Sequence, residues 1–170
     1  RFPVVGEPNT YLLAWTTTPW TLPSNVALCV NEKEDYVRFS LDGDTIIMAK
    51  ALVPSLFGGE GGEISQTSAP FKGKELLGLR YSPLWPLAQV KEDAFYVVGD
   101  SYVSLEDGTG IVHIAPAFGE DDARIGRERG LPFVQLVDTR GRFVPGTPWE
   151  DTFIKDADPL ILEDLAKWPV

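Results

Sequence analysis

Two segments of the 170-residue chain concentrate groups able to do chemistry. Residues 15–25, WTTTPWTLPSN, set the hydroxyls of Thr16, Thr17, Thr18 and Thr21 around Pro19 and Trp20 and end in Asn25. Pro19 and Pro23 fix φ and keep the residues before them out of helix, so the chain must leave a strand here as a rigid, irregular loop. Rigid loops at strand ends are where binding groups are usually presented. Threonine is also a good strand former, and alternate hydroxyls of a TTT run can simply face solvent. On the residues alone both roles stay open.

The second segment, residues 108–122, GTGIVHIAPAFGEDD, holds the single histidine, His113, and two adjacent carboxylates, Asp121 and Asp122. Gly108, Gly110 and Gly119 allow close backbone approach, Pro116 ends a strand, and a helix begins soon after. In a strand, Ile111, His113 and Ala115 share one face and Val112 and Ile114 the other. His113 therefore fits either a structural hydrogen-bonding role or that of a catalytic base or ligand. Asp121 and Asp122 fit the first turn of a helix, where acids complement the dipole, and one of them could instead point inward. The strand–loop–helix turn between His113 and Asp122 would let the two converge.

Other chemistries find no footing. The glycines lack the third member of GxGxxG and the acid some twenty positions on, and there is no P-loop. No GxSxG elbow is present and no His/Cys/Asp set has metal-ligand spacing. Cys29 lies in the apolar run VALCV without visible activation, which disfavours covalent catalysis and excludes a disulfide framework.

The elements that must carry these residues are mostly strands. Short β-branched and aromatic runs closed by Gly, Pro, Asp or Asn predict strands at 11–17, 27–30, 36–41, 45–49, 95–99, 102–105, 110–114 and 133–137. Asp42-Gly43 and Asp107-Gly108 predict two hairpin turns. Residues 119–129 read as a helix with acids first and arginines last, closed by Gly130. Asp158-Pro159 reads as the cap and first position of another, with an apolar stripe of Leu160, Ile161, Leu165 and Trp168 ended by Pro169. A weaker helix is expected over 50–57 despite Pro54. Residues 58–62, GGEGG, read as flexible and 72–86 as a surface excursion. The expected fold is α+β, a barrel-like core of mixed and antiparallel strands with peripheral helices, forming one domain over 1–170.

Composition narrows the class. The chain is 44% hydrophobic and 24% charged, with no apolar run near the ~20 residues of a membrane helix, as expected of a soluble, cytosolic domain without a membrane partner. Opening on Arg1 without a leader sequence suggests a piece of a longer polypeptide. A formal charge of −10 argues against general phosphate neutralisation, so a polynucleotide would have to be gripped locally. The one basic concentration is Arg124, Arg127, Arg129, Arg140 and Arg142, which fits a solvated helix face and turn as well as a guide for a nucleic-acid end.

Together, WTTTPWTLPSN and GTGIVHIAPAFGEDD closely resemble the editing domain inserted in class I aminoacyl-tRNA synthetases for aliphatic amino acids, over nearly the whole chain. Valine and leucine members typically carry a TTRP-type first motif and a non-histidine residue after GTG-x-V. Here Thr18-Pro19-Trp20-Thr21 and Gly110-Ile111-Val112-His113 point to the isoleucine branch. The resemblance implies hydrolysis of valyl-tRNA(Ile) and valyl-adenylate with isoleucyl-tRNA(Ile) spared. One methylene is worth only about 1–3 kcal/mol, a limit for which isoleucine against valine is the standard illustration, so a second, smaller pocket is needed.

Carried over by motif, Asp122 would anchor the α-ammonium, His113 would wall off isoleucine, and Thr16, Thr17 and Thr18 would surround the ester or the water with Asn25 in support. Trp20, Thr21 and Gly110 would line the pocket, Trp20 beside the terminal adenosine or the amino acid, and Arg140 and Arg142 would guide the tRNA end. The implied partners are the 3′ CCA end of valyl-tRNA(Ile), valine or valyl-adenylate, and the rest of a parent synthetase, with the chain itself a monomer. No metal or cofactor is expected here. ATP and zinc would belong to the parent, because HIGH-like and KMSKS-like sequences are missing and the catalytic Rossmann and anticodon-binding domains lie elsewhere. Phe118 departs from relatives that have histidine there. A non-catalytic barrel binding tRNA ends and a standalone deacylase acting in trans are the alternatives.

Overall fold

The computed structural model describes residues 1–58, 64–66, 68–87, 90 and 93–167. The chain gathers into two compact units: Arg1–Thr16, Ala27–Pro83 and Phe95–Ile114 form the first, and Thr17–Val26, Leu84–Ala94 and Ala115–Val170 the second.

The first unit is built from β1 (Phe2–Pro3), β2 (Thr10–Leu12), β3 (Ala27–Val30), β4 (Asp35–Leu41), β5 (Asp44–Ala49), β6 (Ser65–Gln66), β7 (Phe71–Lys72), β8 (Tyr96–Gly99) and β9 (Ile111–Ile114). One sheet runs β1-β2-β5-β4-β6, with β7 also on β4, and the other runs β8-β3-β9. Both are mixed: β2 pairs β5 and β3 pairs β8 in parallel, while the remaining pairs are antiparallel. Burial explains the central strands. The run ALCV in β3 is buried throughout, and Ile46, Ile47, Met48 and Ala49 of β5 are wholly covered, so these strands show continuous apolar runs instead of alternation. Each such aliphatic side chain contributes about 1.5–3 kcal/mol on burial.

The β4–β5 turn is made by Asp42 and Gly43, both at positive φ (53° and 89°), the two-residue geometry whose twist matches a hairpin. Tyr36 of β4 joins the sheets from within: its hydroxyl donates to Gly110 O at 2.6 Å and accepts from Asn31 N at 3.0 Å. Burial pushes that phenol well above its ordinary range.

The second unit carries a 3₁₀ helix at Pro19–Ser24 and two α-helices, and the first carries α1 (Val53–Phe57), so the helices of the second unit are α2 (Glu120–Arg129) and α3 (Ile154–Leu165). Acids fill the first turn of α2, Arg127 and Arg129 its last, and Gly130 at φ 65° closes it, as expected. Trp149 meets Trp85 and Phe143 at ring separations of 5.2 and 5.4 Å, and Trp85 Nε1 donates to Asp164 Oδ2 of α3 at 2.8 Å.

The α+β class stands, and among the described residues the β core consists of two mixed sheets that do not close into a barrel. Strand 11–17 shortens to β2, because the chain leaves the sheet after Leu13, whose N–H makes the last bond to Ile47 O, and 102–105 and 133–137 are not strands. Asp107-Gly108 therefore closes no hairpin; β9 finds its partner in β3. The last helix starts at Ile154, four residues before the expected cap, with Pro159 inside it, and its buried residues are Ala157 and Ile161 while Leu160 is exposed. Residues 50–57 split into a 3₁₀ turn and α1, which places Pro54 in the first turn, where a missing N–H is harmless. The two-residue strands β1, β6 and β7 were too short to show a period. Residues 59–62 of the glycine-rich stretch, Trp168 and Pro169 lie outside the described residues.

Candidate functional site

Each motif straddles the change from one unit to the other, at Thr16–Thr17 and at Ile114–Ala115. Thr16, Gly110 and His113 belong to the first unit. Thr17, Thr18, Trp20, Thr21, Asn25, Asp122, Arg140 and Arg142 belong to the second.

In the second unit the proline-punctuated loop is the 3₁₀ helix itself, with Pro19 in its first turn and Pro23 inside. Thr17 is exposed, Thr18 and Trp20 half-buried, and Thr21 and Asn25 buried. Thr21 donates its hydroxyl to Thr18 O at 2.9 Å and lies 3.4 Å from the Thr18 hydroxyl. Asn25 N donates to Leu22 O at 3.0 Å, closing the loop. Trp20 packs edge to face on Phe118 at 5.0 Å, which brings the threonine loop against the segment leading into α2. The sequence singled out Phe118 only as a departure; here it is the ring that seats Trp20.

Asp122 is the half-buried acid of the first turn of α2, whereas Asp121 is exposed and pairs with Arg124 at 3.1 Å. Asp122 Oδ1 accepts the Ala115 N–H at 2.7 Å, and the carboxylate folds back over Gly119, where a Cβ would overlap Oδ2. Burial pushes its carboxyl up, partly offset by the Ala115 bond. A partly desolvated carboxylate held in place by backbone N–H groups interacts strongly with a cation.

In the first unit, β9 places His113 opposite Leu28 of β3. The imidazole is buried, and desolvation pushes its pKa down to about 4, so the ring is neutral at pH 7. The unfolded chain takes up a proton near 6.5 and the native state only near 4, so stability must fall as pH drops through that window. The loss amounts to about 3 kcal/mol at most. Urea midpoints at pH 7 and pH 4.5 should show a larger acid loss for the wild type than for His113→Gln. Asp122 acts in the opposite sense, and comparing the two proteins removes its contribution.

The GTG turn is structural as well as close to a hollow. Gly110, at φ 73°, has no room for a Cβ against Ala49, and Thr109 O accepts the Ala49 N–H at 2.9 Å. A cavity of about 230 Å³ beside it is lined by Trp15, Tyr102, Asp107, Thr109 and Val112 among others; His113 does not line it.

Three arginines of the basic cluster, Arg124, Arg140 and Arg142, lie against acidic residues. Arg140 Nε donates to Asp138 Oδ2 at 2.9 Å, Arg142 donates from Nη1 to Asp151 O, and Arg124 lies between Asp121 and Glu128. Arg140, with 71% of its side chain exposed, is more open than Arg124 or Arg142. Among the described residues no three of His, Cys, Asp and Glu gather as metal ligands would, and no helix is long and apolar enough to cross a membrane.

No protein-family model matches the chain. It is 51% identical over 164 residues to an isoleucine–tRNA ligase of Clostridium acetobutylicum, and 41% identical over 177 residues to that of Pyrococcus horikoshii. These alignments cover 96% and 97% of the chain, but the chain spans only about 15% of the length of the curated relatives it matches. Among solved structures, the leucyl-tRNA synthetase domain GlLeuRS-CP1 superposes with a TM-score of 0.75 at 16% identity, covering 93% of this chain and 80% of its own. The Plasmodium knowlesi cytosolic leucyl-tRNA synthetase editing domain gives 0.68 at 14%, covering 93% and 81%. At such identity the superposition shows a shared fold.

Proposed function

The chain belongs with the isoleucine–tRNA ligases, and we propose that it is their editing-domain (CP1) segment and hydrolyses valyl-tRNA(Ile), and valyl-adenylate, while leaving isoleucyl-tRNA(Ile) intact. Water adds to the carbonyl carbon of the valyl ester, the bond from that carbon to the terminal ribose oxygen breaks, and a proton passes to the ribose oxygen as valine leaves. With valyl-adenylate the leaving group is the phosphate oxygen of AMP.

The observation that carries this reading is the Asp122 carboxylate, half-buried and pinned at Oδ1 by the Ala115 N–H, a suitable anchor for an α-ammonium. Thr16, Thr17 and Thr18, with Asn25, supply hydroxyls and N–H groups toward the ester and the developing oxyanion. His113, neutral and held in its strand, serves as a wall, and its low pKa makes it a poor base at pH 7. A ribose hydroxyl is then the group left to activate water, with positioning carrying most of the rate. The chemistry needs no cofactor of this chain's own; the parent synthetase, in the cytoplasm, supplies the tRNA-bound substrate to a domain acting as one copy.

The test is deacylation of valyl-tRNA(Ile) against isoleucyl-tRNA(Ile) by the parent synthetase. Selective loss of the valyl ester is expected, and equal rates for the two esters would overturn the reading. Arg140 and Arg142 extend the proposal to the CCA end. The double charge reversal Arg140→Glu/Arg142→Glu should slow deacylation about 3- to 10-fold at low salt and less at high salt. Unchanged rates at low salt would remove them from the tRNA path.

A further inference from the structure

The ladder that carries His113 ends on a side chain. β3 and β9 pair from Ala27 and Ile114 to Val30 and Ile111, so the next opposed residues are Asn31 and Gly110. Their main-chain groups are joined through the Tyr36 hydroxyl, which accepts the Asn31 N–H at 3.0 Å and donates to Gly110 O at 2.6 Å. One phenol oxygen thus takes the place of a direct N–H to carbonyl bond at the end of the ladder. The ring is locked there. Tyr36 is wholly buried, and a Cβ at Gly73 would overlap its edge. Burial keeps the phenol protonated, which sets the direction of both bonds. From the β5 side the same turn is held by Ala49, opposite Tyr36 in the β4–β5 register, whose N–H donates to Thr109 O at 2.9 Å. Asn31 is fixed in turn by its side chain, which donates to Val103 O at 3.0 Å. All of these residues belong to the first unit.

We propose that Tyr36 is a positioning residue that sets ester choice: its hydroxyl fixes the start of β9, and with it the place of His113 as the wall against isoleucine. The proposal rests on the hydrolytic reading for its effect on specificity and on geometry alone for the bridge. Tyr36, wholly buried, touches no substrate in that reading. Binding groups must be held within about 0.5 Å of their working positions by neighbours locked in this way, and refusing a single methylene leaves little more slack than that.

Tyr36→Phe, which removes the one oxygen, tests it. Hydrogen exchange at the Asn31 amide and deacylation of valyl- and isoleucyl-tRNA(Ile) are both read in the parent synthetase. Asn31 exchange should speed by about tenfold or more as the bridge is lost. The ratio of valyl to isoleucyl deacylation should fall about tenfold, the scale of one methylene, through faster loss of the isoleucyl ester, with the valyl rate within about threefold of wild type. That ratio does not depend on how much of the enzyme is folded, so destabilisation alone cannot move it. An unchanged ratio or unchanged Asn31 protection would overturn the proposal. So would failure of Tyr36→Phe to fold, which would make the hydroxyl a purely structural group. If the wild-type parent shows no preference for the valyl ester, the hydrolytic reading fails while the exchange measurement still decides the bridge.

Discussion

Asp122→Asn, which keeps the size of the side chain and removes its charge, should cut kcat/KM for valyl-tRNA(Ile) deacylation by roughly 100-fold or more while aminoacylation by the parent stays unchanged. The size follows from the setting. Removing one partner of a desolvated charge pair costs about 2–5 kcal/mol, each 1.4 kcal/mol being tenfold. Asp122→Ala should do at least as much, since it also releases the Ala115 N–H. A third variant separates charge from position. Gly119→Ala leaves the carboxylate intact, and the backbone there is extended (φ −148°), but the new methyl would strike Oδ2 and must push the side chain aside. An intermediate loss is expected. Normal clearance of valine by Asp122→Asn would remove Asp122 as the ammonium anchor.

Gly110→Ala should be strongly destabilising. It combines a positive φ of 73° with overlap at the Ala49 Cβ, and Leu105 Cδ2 lies 3.1 Å from the added atom. Left-handed strain costs about 1 kcal/mol and overpacking about 1–3, for a total of roughly 2–4 kcal/mol. For a chain of this size that lowers Tm by about 6–12 °C. Gly108→Ala is the control: its φ is 74°, but the nearest atoms, of Trp15, lie at 3.6 Å, so only the conformational strain of about 1 kcal/mol applies. Equal melting temperatures for the two variants would mean that the approach of β5 to the GTG turn does not limit the space at 110.

Local signals were legible where local interactions decide, and failed where a distant partner does. Asp42-Gly43 sits between two strands that pair with each other, so the dipeptide sufficed; the same chemistry at Asp107-Gly108 leads into β9, whose partner β3 is remote. Asp158-Pro159 shows the failure most clearly. Aspartate before proline signals a helix start, yet this aspartate lies inside a helix and caps another one, serving Trp20. No pattern around residue 158 could announce a donor at residue 20. The two motifs themselves stood out by composition, and Asp122 over Asp121 as the inward acid follows once the helix begins at Glu120. The Arg140–Arg142 pair could be seen in the sequence, but its acidic partners Asp138 and Asp151 come together only through the turn that Gly141, at φ 75°, makes possible.

Cys29 gives the three-stranded sheet a built-in reporter. It is the sole thiol of the chain and wholly inaccessible, flanked in β3 by β8 on one side and β9 on the other. A thiol-specific reagent can therefore modify it only when the structure around that sheet transiently opens. Labelling kinetics at this one atom thus count the openings of that sheet without any engineered probe.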